Sequence, residues 1–138
     1  MSWSAEHWND KLYMTWAGLR MLEAQGGRAQ LELSIEPHHR GGAGTDAVNG
    51  AILSYMHDIV QGAAIRSLLP PEENALATIN LHIDYIELLR AEETVVAAGR
   101  VVRLGRGIAF SESDVRDAAG RLCTRCVGTY RVLRGAAT

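Results

Sequence analysis

Four polar side chains, Ser54, His57, Asp58 and Gln61, recur at spacings of three and four within Val48–Leu69, a stretch that is otherwise largely apolar. That period is helical. Ile52, Tyr55, Met56, Ile59 and Ala63 share one face, and Leu53, Val60, Ala64 and Leu68 widen it. A helix apolar over most of its circumference is buried, and an acidic residue on it needs a partner or a task. The loop in front, His38 to Asp46, holds three glycines and delivers the chain to the helix start. Backbone N–H groups in such a loop can point at a ligand, and the helix dipole favours negative charge there. The polar stripe and the helix entrance are therefore the candidate chemistry.

Other reactive side chains form no comparable constellation. Cys123 and Cys126 stand alone in Cys-Thr-Arg-Cys, with no second pair, inside a segment that reads as a strand. A separation of three in a strand puts them on opposite faces, so they read as reduced thiols. His38, His39, His57 and His82 fall on a loop, a helix and a strand without ligand spacing, so no metal is expected.

The elements that must position the helix follow from periodicity. Ser4 is a candidate N-cap for a short helix holding Trp8, Leu12, Tyr13 and Trp16. Strands at 18–24 and 28–36 flank Gln25-Gly26-Gly27, a tight hairpin turn. The central helix is expected from Val48 to Leu69, stopped by Pro70-Pro71. Beyond it, Thr78, Asn80, His82 and Asp84 alternate with Ile79, Leu81, Ile83 and Tyr85, a two-faced strand. Strands at 94–104, 108–116 and 121–133 follow, separated by Gly105-Arg106-Gly107 and Asp117-Ala118-Ala119-Gly120; residues 135–138 read as a loose end. The pattern predicts an α+β domain over residues 1–138, one antiparallel sheet curled around one long helix. Such a sheet covers only one side of the helix, so the polar stripe and the free sheet edge are expected to meet another subunit, in a dimer or tetramer.

Composition narrows the classes. Of 138 residues, 47% are hydrophobic and 22% charged, which is ordinary globular usage and enough for a core. A net charge of −2 argues against a general nucleic-acid binder. No apolar run approaches the roughly 20 residues that span a bilayer, and Met1 to His7 lacks the basic and apolar regions of a signal peptide, so a cytoplasmic location is expected.

The order of elements resembles the hotdog fold, and the motifs are similar to those of its PaaI-type acyl-CoA thioesterases. That family carries His-Gly-Gly at the start of the central helix and an acid nine positions after the His. Here Asn49-Gly50-Ala51 holds the first place and Asp58 the second. Thr78 to Tyr85 resembles the family's strand after the helix, and Val101 to Arg106, Val115 to Asp117 and Gly120 to Leu122 resemble its next hairpins. Gly128-Thr129-Tyr130-Arg131 resembles its last strand.

The resemblance implies a roster of roles. The Gly50 N–H would receive the oxyanion of a thioester, and Asp58 would act as general base or nucleophile. Thr78 would orient the water, across a dimer interface. Arg103 and Arg106, about Gly105, would face the phosphates of coenzyme A, which is part of the substrate, so no cofactor is implied. The sequence departs from the family pattern at the entrance: Asn49 replaces its His, Ala51 its second Gly, Ala43 an Asn and Asp46 a Gly. Asn49 cannot titrate near neutral pH. The alternative reading is a non-catalytic acyl-CoA binding or regulatory module on the same fold. Hydratase chemistry would need a His paired with a carboxylate at another spacing, which the sequence lacks.

Overall fold

The computed structural model describes residues 3–70, 74–91 and 93–135. Its centre is α3 (Gly50–Arg66), entered through the N-cap Asn49 and left through Ser67. The helix is shorter than its apolar pattern at both ends. Asn49 takes extended backbone as the cap, while Leu68 and Leu69 close a turn whose N–H groups donate to the carbonyls of Ile65 and Arg66. The expected stop falls partly on Pro71, outside the described residues.

Around α3 lies one antiparallel sheet of six strands among the described residues: β1 (Leu19–Gln25), β2 (Arg28–Ser34), β3 (Asn74–Tyr85), β4 (Thr94–Leu104), β5 (Ile108–Arg116) and β6 (Leu122–Arg134). The spatial order is β1-β2-β4-β5-β6-β3, so the strand that follows the helix crosses to the far edge. This is the hotdog arrangement that the motifs resembled. Gly26 and Gly27 both have positive φ (61° and 82°), the backbone that a two-residue hairpin turn demands. Leu31 and Leu33 of β2 and Ala97 of β4 are fully buried against Met56 and Val60 of α3. Burial of each larger side chain stabilises the fold by roughly 1.5–3 kcal/mol.

The single N-terminal helix expected from the sequence is two, α1 (Ala5–Asn9) and α2 (Leu12–Ala17). Ser4 is the N-cap of α1 as expected. At the break Asn9 docks on β1, its Oδ1 accepting the Met21 N–H at 2.7 Å and its Nδ2 donating to the Met21 carbonyl at 3.0 Å. A side chain fixed to the strand in this way turns the chain out of the helix.

Four register shifts interrupt the simple alternation of the described strands, and two of them bear on the residues of interest. In β3, Thr78 faces Tyr130 and Asn80 faces Thr129, so Ile79 is the extra residue. Thr78 consequently shares the inner face with Leu81, Ile83 and Tyr85, not the outer face of Asn80, His82 and Asp84 where alternation placed it. In β6, Val115 pairs with Thr124 and Arg116 with Leu122, which makes Cys123 the extra residue. Both cysteines are buried as a result, with free thiols whose pKa burial raises.

The polar stripe of α3 also divides. His57 and Gln61 are wholly buried against the sheet, whereas Ser54 and Asp58 stay half-buried on the open side. Their partners are hydroxyls at inward positions of β5 and β6. Ser111 Oγ donates to Gln61 Oε1 at 2.5 Å, and Gln61 Nε2 donates to Ser113 Oγ at 2.7 Å. Ser113 Oγ lies 2.7 Å from His57 Nδ1, and His57 Nε2 lies 2.8 Å from Thr124 Oγ1. Read as one directed chain, these bonds assign the proton to Nε2 of a neutral imidazole.

Gly128 gives this network its room, since a Cβ there would stand 2.2 Å from Gln61 Oε1. Gly128→Ala is therefore expected to lower stability by about 1–3 kcal/mol, read as a lower urea midpoint. An unchanged midpoint would show that Gln61 can move aside.

Candidate active site

Asp58 emerges from the open side of α3 beside the inner face of β3 and β6. Thr78 Oγ1 donates to its Oδ1 at 2.9 Å, and the Tyr130 hydroxyl donates to the same oxygen at 2.7 Å. Tyr130 also reaches the Asp58 carbonyl at 3.0 Å. Burial and the neighbouring carboxylate push the Tyr130 phenol well above its ordinary pKa, so it remains a donor. Oδ2 takes no hydrogen bond from the described residues, leaving one carboxylate oxygen oriented but open to water or to a carbonyl carbon. The Ile79 bulge is what turns Thr78 to this oxygen.

Tyr130 was not singled out from the sequence. Its position in Gly128-Thr129-Tyr130-Arg131 suggested a strand, but the hydroxyl's target depends on which helical residue the strand crosses.

A cavity of about 390 Å³ runs from Asp58, Thr78 and Tyr130 along α3. Its outer wall comes from the N-terminal segment, Trp3, Trp8 and Tyr13, with Trp3 and Trp8 edge to face at 5.3 Å between ring centroids. Trp16, Tyr55 and Leu68 do not line it.

The helix entrance is a separate place. Asn49 Oδ1 accepts the Ala51 N–H at 2.7 Å and Nδ2 donates to the Gly41 carbonyl at 2.7 Å, so both ends of the amide hold the cap and the loop. Asn49 thereby positions Gly50, whose own N–H takes no partner among the described residues. Tyr85 closes the other side by donating to the Gly50 carbonyl at 2.9 Å. A second cavity of about 320 Å³ opens here, between the Gly41–Gly50 loop and the end of β3.

Within one chain the two halves do not meet. Gly50 and Asp58 lie eight residues apart on one straight helix, about 12 Å along its axis. A reacting carbonyl must sit about 3 Å from both its donor and its attacking group.

The remaining candidates sit elsewhere. Arg103 is exposed on the outer face, opposite Phe110, and Arg106 is exposed in the β4–β5 turn, where Gly105 N–H bonds the Ile108 carbonyl. None of the three lines the Asp58 cavity. The histidines have structural partners: His39 is buried, with its Nδ1 accepting from the Glu36 N–H and its Nε2 bonding the Ala17 carbonyl, and His82 pairs with Asp84. No group of three or more His, Cys, Asp or Glu among the described residues is gathered as a metal would require. No helix among them is long and apolar enough to cross a membrane.

Comparison with known proteins agrees with this architecture. A conserved protein of Pseudomonas aeruginosa superposes with a TM-score of 0.79 at 26% identity, covering 89% of this chain and 94% of its own. The PaaI protein from the phenylacetic acid degradation operon of E. coli gives 0.82 at 15% identity, covering 96% and 92%. A thioesterase of Haemophilus influenzae gives 0.84 at 14% identity, covering 97% and 93%. At such identities the last two show a common fold. No curated protein matches the sequence. Residues 46–124, from the entrance loop through β3, β4 and β5 into β6, match the sequence profile of the thioesterase superfamily. The motif at the helix start, the acid nine positions on and the fold point the same way as this match, and the chain belongs to the thioesterase superfamily.

Proposed function

We propose that the protein is an acyl-CoA thioesterase, hydrolysing a thioester to a carboxylic acid and free coenzyme A. The observation that carries this reading is the Asp58 carboxylate, one oxygen clamped by Thr78 and Tyr130 and the other open at the head of a largely apolar cavity. Asp58 takes a proton from water as the oxygen adds to the thioester carbon. The new oxyanion is received by a Gly50 N–H at the positive end of the α3 dipole. Collapse breaks the C–S bond, and the thiolate of coenzyme A leaves with the proton from Asp58. In the nucleophilic variant, the open oxygen attacks the carbon itself and water then hydrolyses the anhydride.

Because Asp58 and Gly50 are about 12 Å apart in one chain, each carbonyl is held between the Asp58 of one copy and the Gly50 of a second. A two-fold axis beside antiparallel copies of α3 makes both pairs at once. The long edge strand β3, with Ile79 and Tyr85 about half exposed, supports such a homodimer, or a dimer of dimers. Thr78 then acts on the Asp58 of its own chain. Arg103 and Arg106, exposed near the β4–β5 turn, are the proposed contacts for the coenzyme A phosphates. A cytoplasmic location accords with an acyl-CoA substrate.

The test is steady-state release of free thiol from short aliphatic, medium aliphatic and aromatic acyl-CoAs. Turnover of at least one class is the expected result. Binding of acyl-CoA without turnover would replace the enzyme by a non-catalytic binding module.

A further inference from the structure

Glycine inside a helix weakens it, so a glycine there calls for a reason. In the sheet the reasons are visible. A Cβ on Gly99 would come within 3.0 Å of the Val60 carbonyl oxygen, and one on Gly128 would strike Gln61. Gly62, in the middle of α3, has no such reason: a Cβ built there meets no neighbouring atom within 4 Å. Its φ is not positive either, so backbone conformation does not require glycine. The open space beside it is the Asp58 cavity, whose wall Gly62 forms one turn beyond Asp58.

We infer that the acyl group of the substrate lies along α3 across Gly62, and that the missing side chain at this position admits an apolar chain of medium length, beyond butyryl. This rests on the thioesterase reading given above. The cavity follows the helix from Asp58 past Ile59 and Gly62 to Arg66, a span of about 12 Å. Leu76 and Trp8 add apolar wall, and Asp58, Thr78 and Tyr130 mark the reacting end. At the far end the Arg66 guanidinium lies 4.4 Å from the centroid of the Trp3 ring, and Arg66 is buried, so the pocket ends there. A side chain at position 62 would occupy the path about midway between Asp58 and that end.

The experiment measures kcat/KM for acetyl-, butyryl-, hexanoyl-, octanoyl- and decanoyl-CoA with wild type, Gly62→Ala and Gly62→Val, together with Tm and size-exclusion elution. Gly62→Val is expected to lower the octanoyl-to-butyryl ratio at least tenfold, about 1.4 kcal/mol in relative barrier, with Gly62→Ala intermediate. Gly62→Ala is also expected to melt no lower than wild type, because alanine favours the helix and meets nothing. An unmoved ratio overturns the inference while leaving the thioesterase reading intact. A changed oligomeric state with an unmoved ratio assigns Gly62 to a contact between copies and overturns it too. If wild type hydrolyses none of these esters, calorimetric titration with octanoate decides the inference, and the thioesterase reading fails as well only if the aromatic acyl-CoAs are not turned over either. Binding that weakens at least tenfold in Gly62→Val then sustains it, and equal or absent binding overturns it.

Discussion

Asp58→Asn is expected to lower kcat for the best acyl-CoA substrate by about 10²–10⁴, the range for loss of a positioned general base. The substitution is nearly isosteric. The amide oxygen still accepts from Thr78 at 2.9 Å and Tyr130 at 2.7 Å in the native geometry, so the fold is preserved. What disappears is the open oxygen that takes a proton or attacks carbon, since an amide does neither near neutral pH. The loss should fall on kcat with a Tm close to wild type. Tyr130→Phe is the graded companion. It leaves the carboxylate but removes one of its two donors, and a hydrogen bond to a charged group contributes about 1.5–3 kcal/mol, so kcat/KM should fall roughly ten- to a hundredfold. Wild-type turnover in Asp58→Asn would remove Asp58 from the chemistry and leave the Thr78 and Tyr130 clamp as a structural feature only.

The second large effect is on stability and comes from the residue next door. His57 is fully buried, and desolvation lowers its pKa from 6.5 to about 4. In the unfolded chain the imidazole titrates near 6.5, so between these values the unfolded chain binds a proton that the folded one does not. The contribution is whole above about pH 6.5 and is lost as the pH falls toward about 4. Its full size is roughly 3 kcal/mol, of which about 2 kcal/mol is gone by pH 5. Urea unfolding at pH 7, 6 and 5 should show this decline, and His57→Gln, which keeps a donor and an acceptor but does not titrate, should flatten it. The same slope in His57→Gln would assign the acid sensitivity to the carboxylates.

The sequence by itself determined most of the elements and pointed to Asp58 and the helix entrance as the candidate site. A helix is written in the recurrence of Leu53, Met56, Val60, Ala63 and Ala64, because a 3.6-residue period and the burial of one face are local geometry. Turns at Gly26-Gly27 and Gly120 are equally local, since their positive φ suits glycine. The spacing of Asn49, Gly50 and Asp58 carried the resemblance that led to the superfamily.

Only the tertiary structure decided which polar groups of α3 are sealed in the core and which stay accessible. Periodicity grouped His57 and Gln61 with Ser54 and Asp58, yet the first pair is sealed by Ser111, Ser113 and Thr124, while the second stays half-buried and only Asp58 of it lines the cavity. Those hydroxyls come from strands more than forty residues away, and hydrophobicity along the chain does not encode which face of the helix they meet. Thr78 likewise alternates as an outward residue and becomes an inward one because of the single unpaired residue Ile79, a register fact settled between β3 and β6. The split of the N-terminal helix, which brings Trp3, Trp8 and Tyr13 over the cavity, depends on Asn9 docking on β1. Local energies set the period of each element, but register, docking and the order of strands are chosen by contacts far apart in sequence.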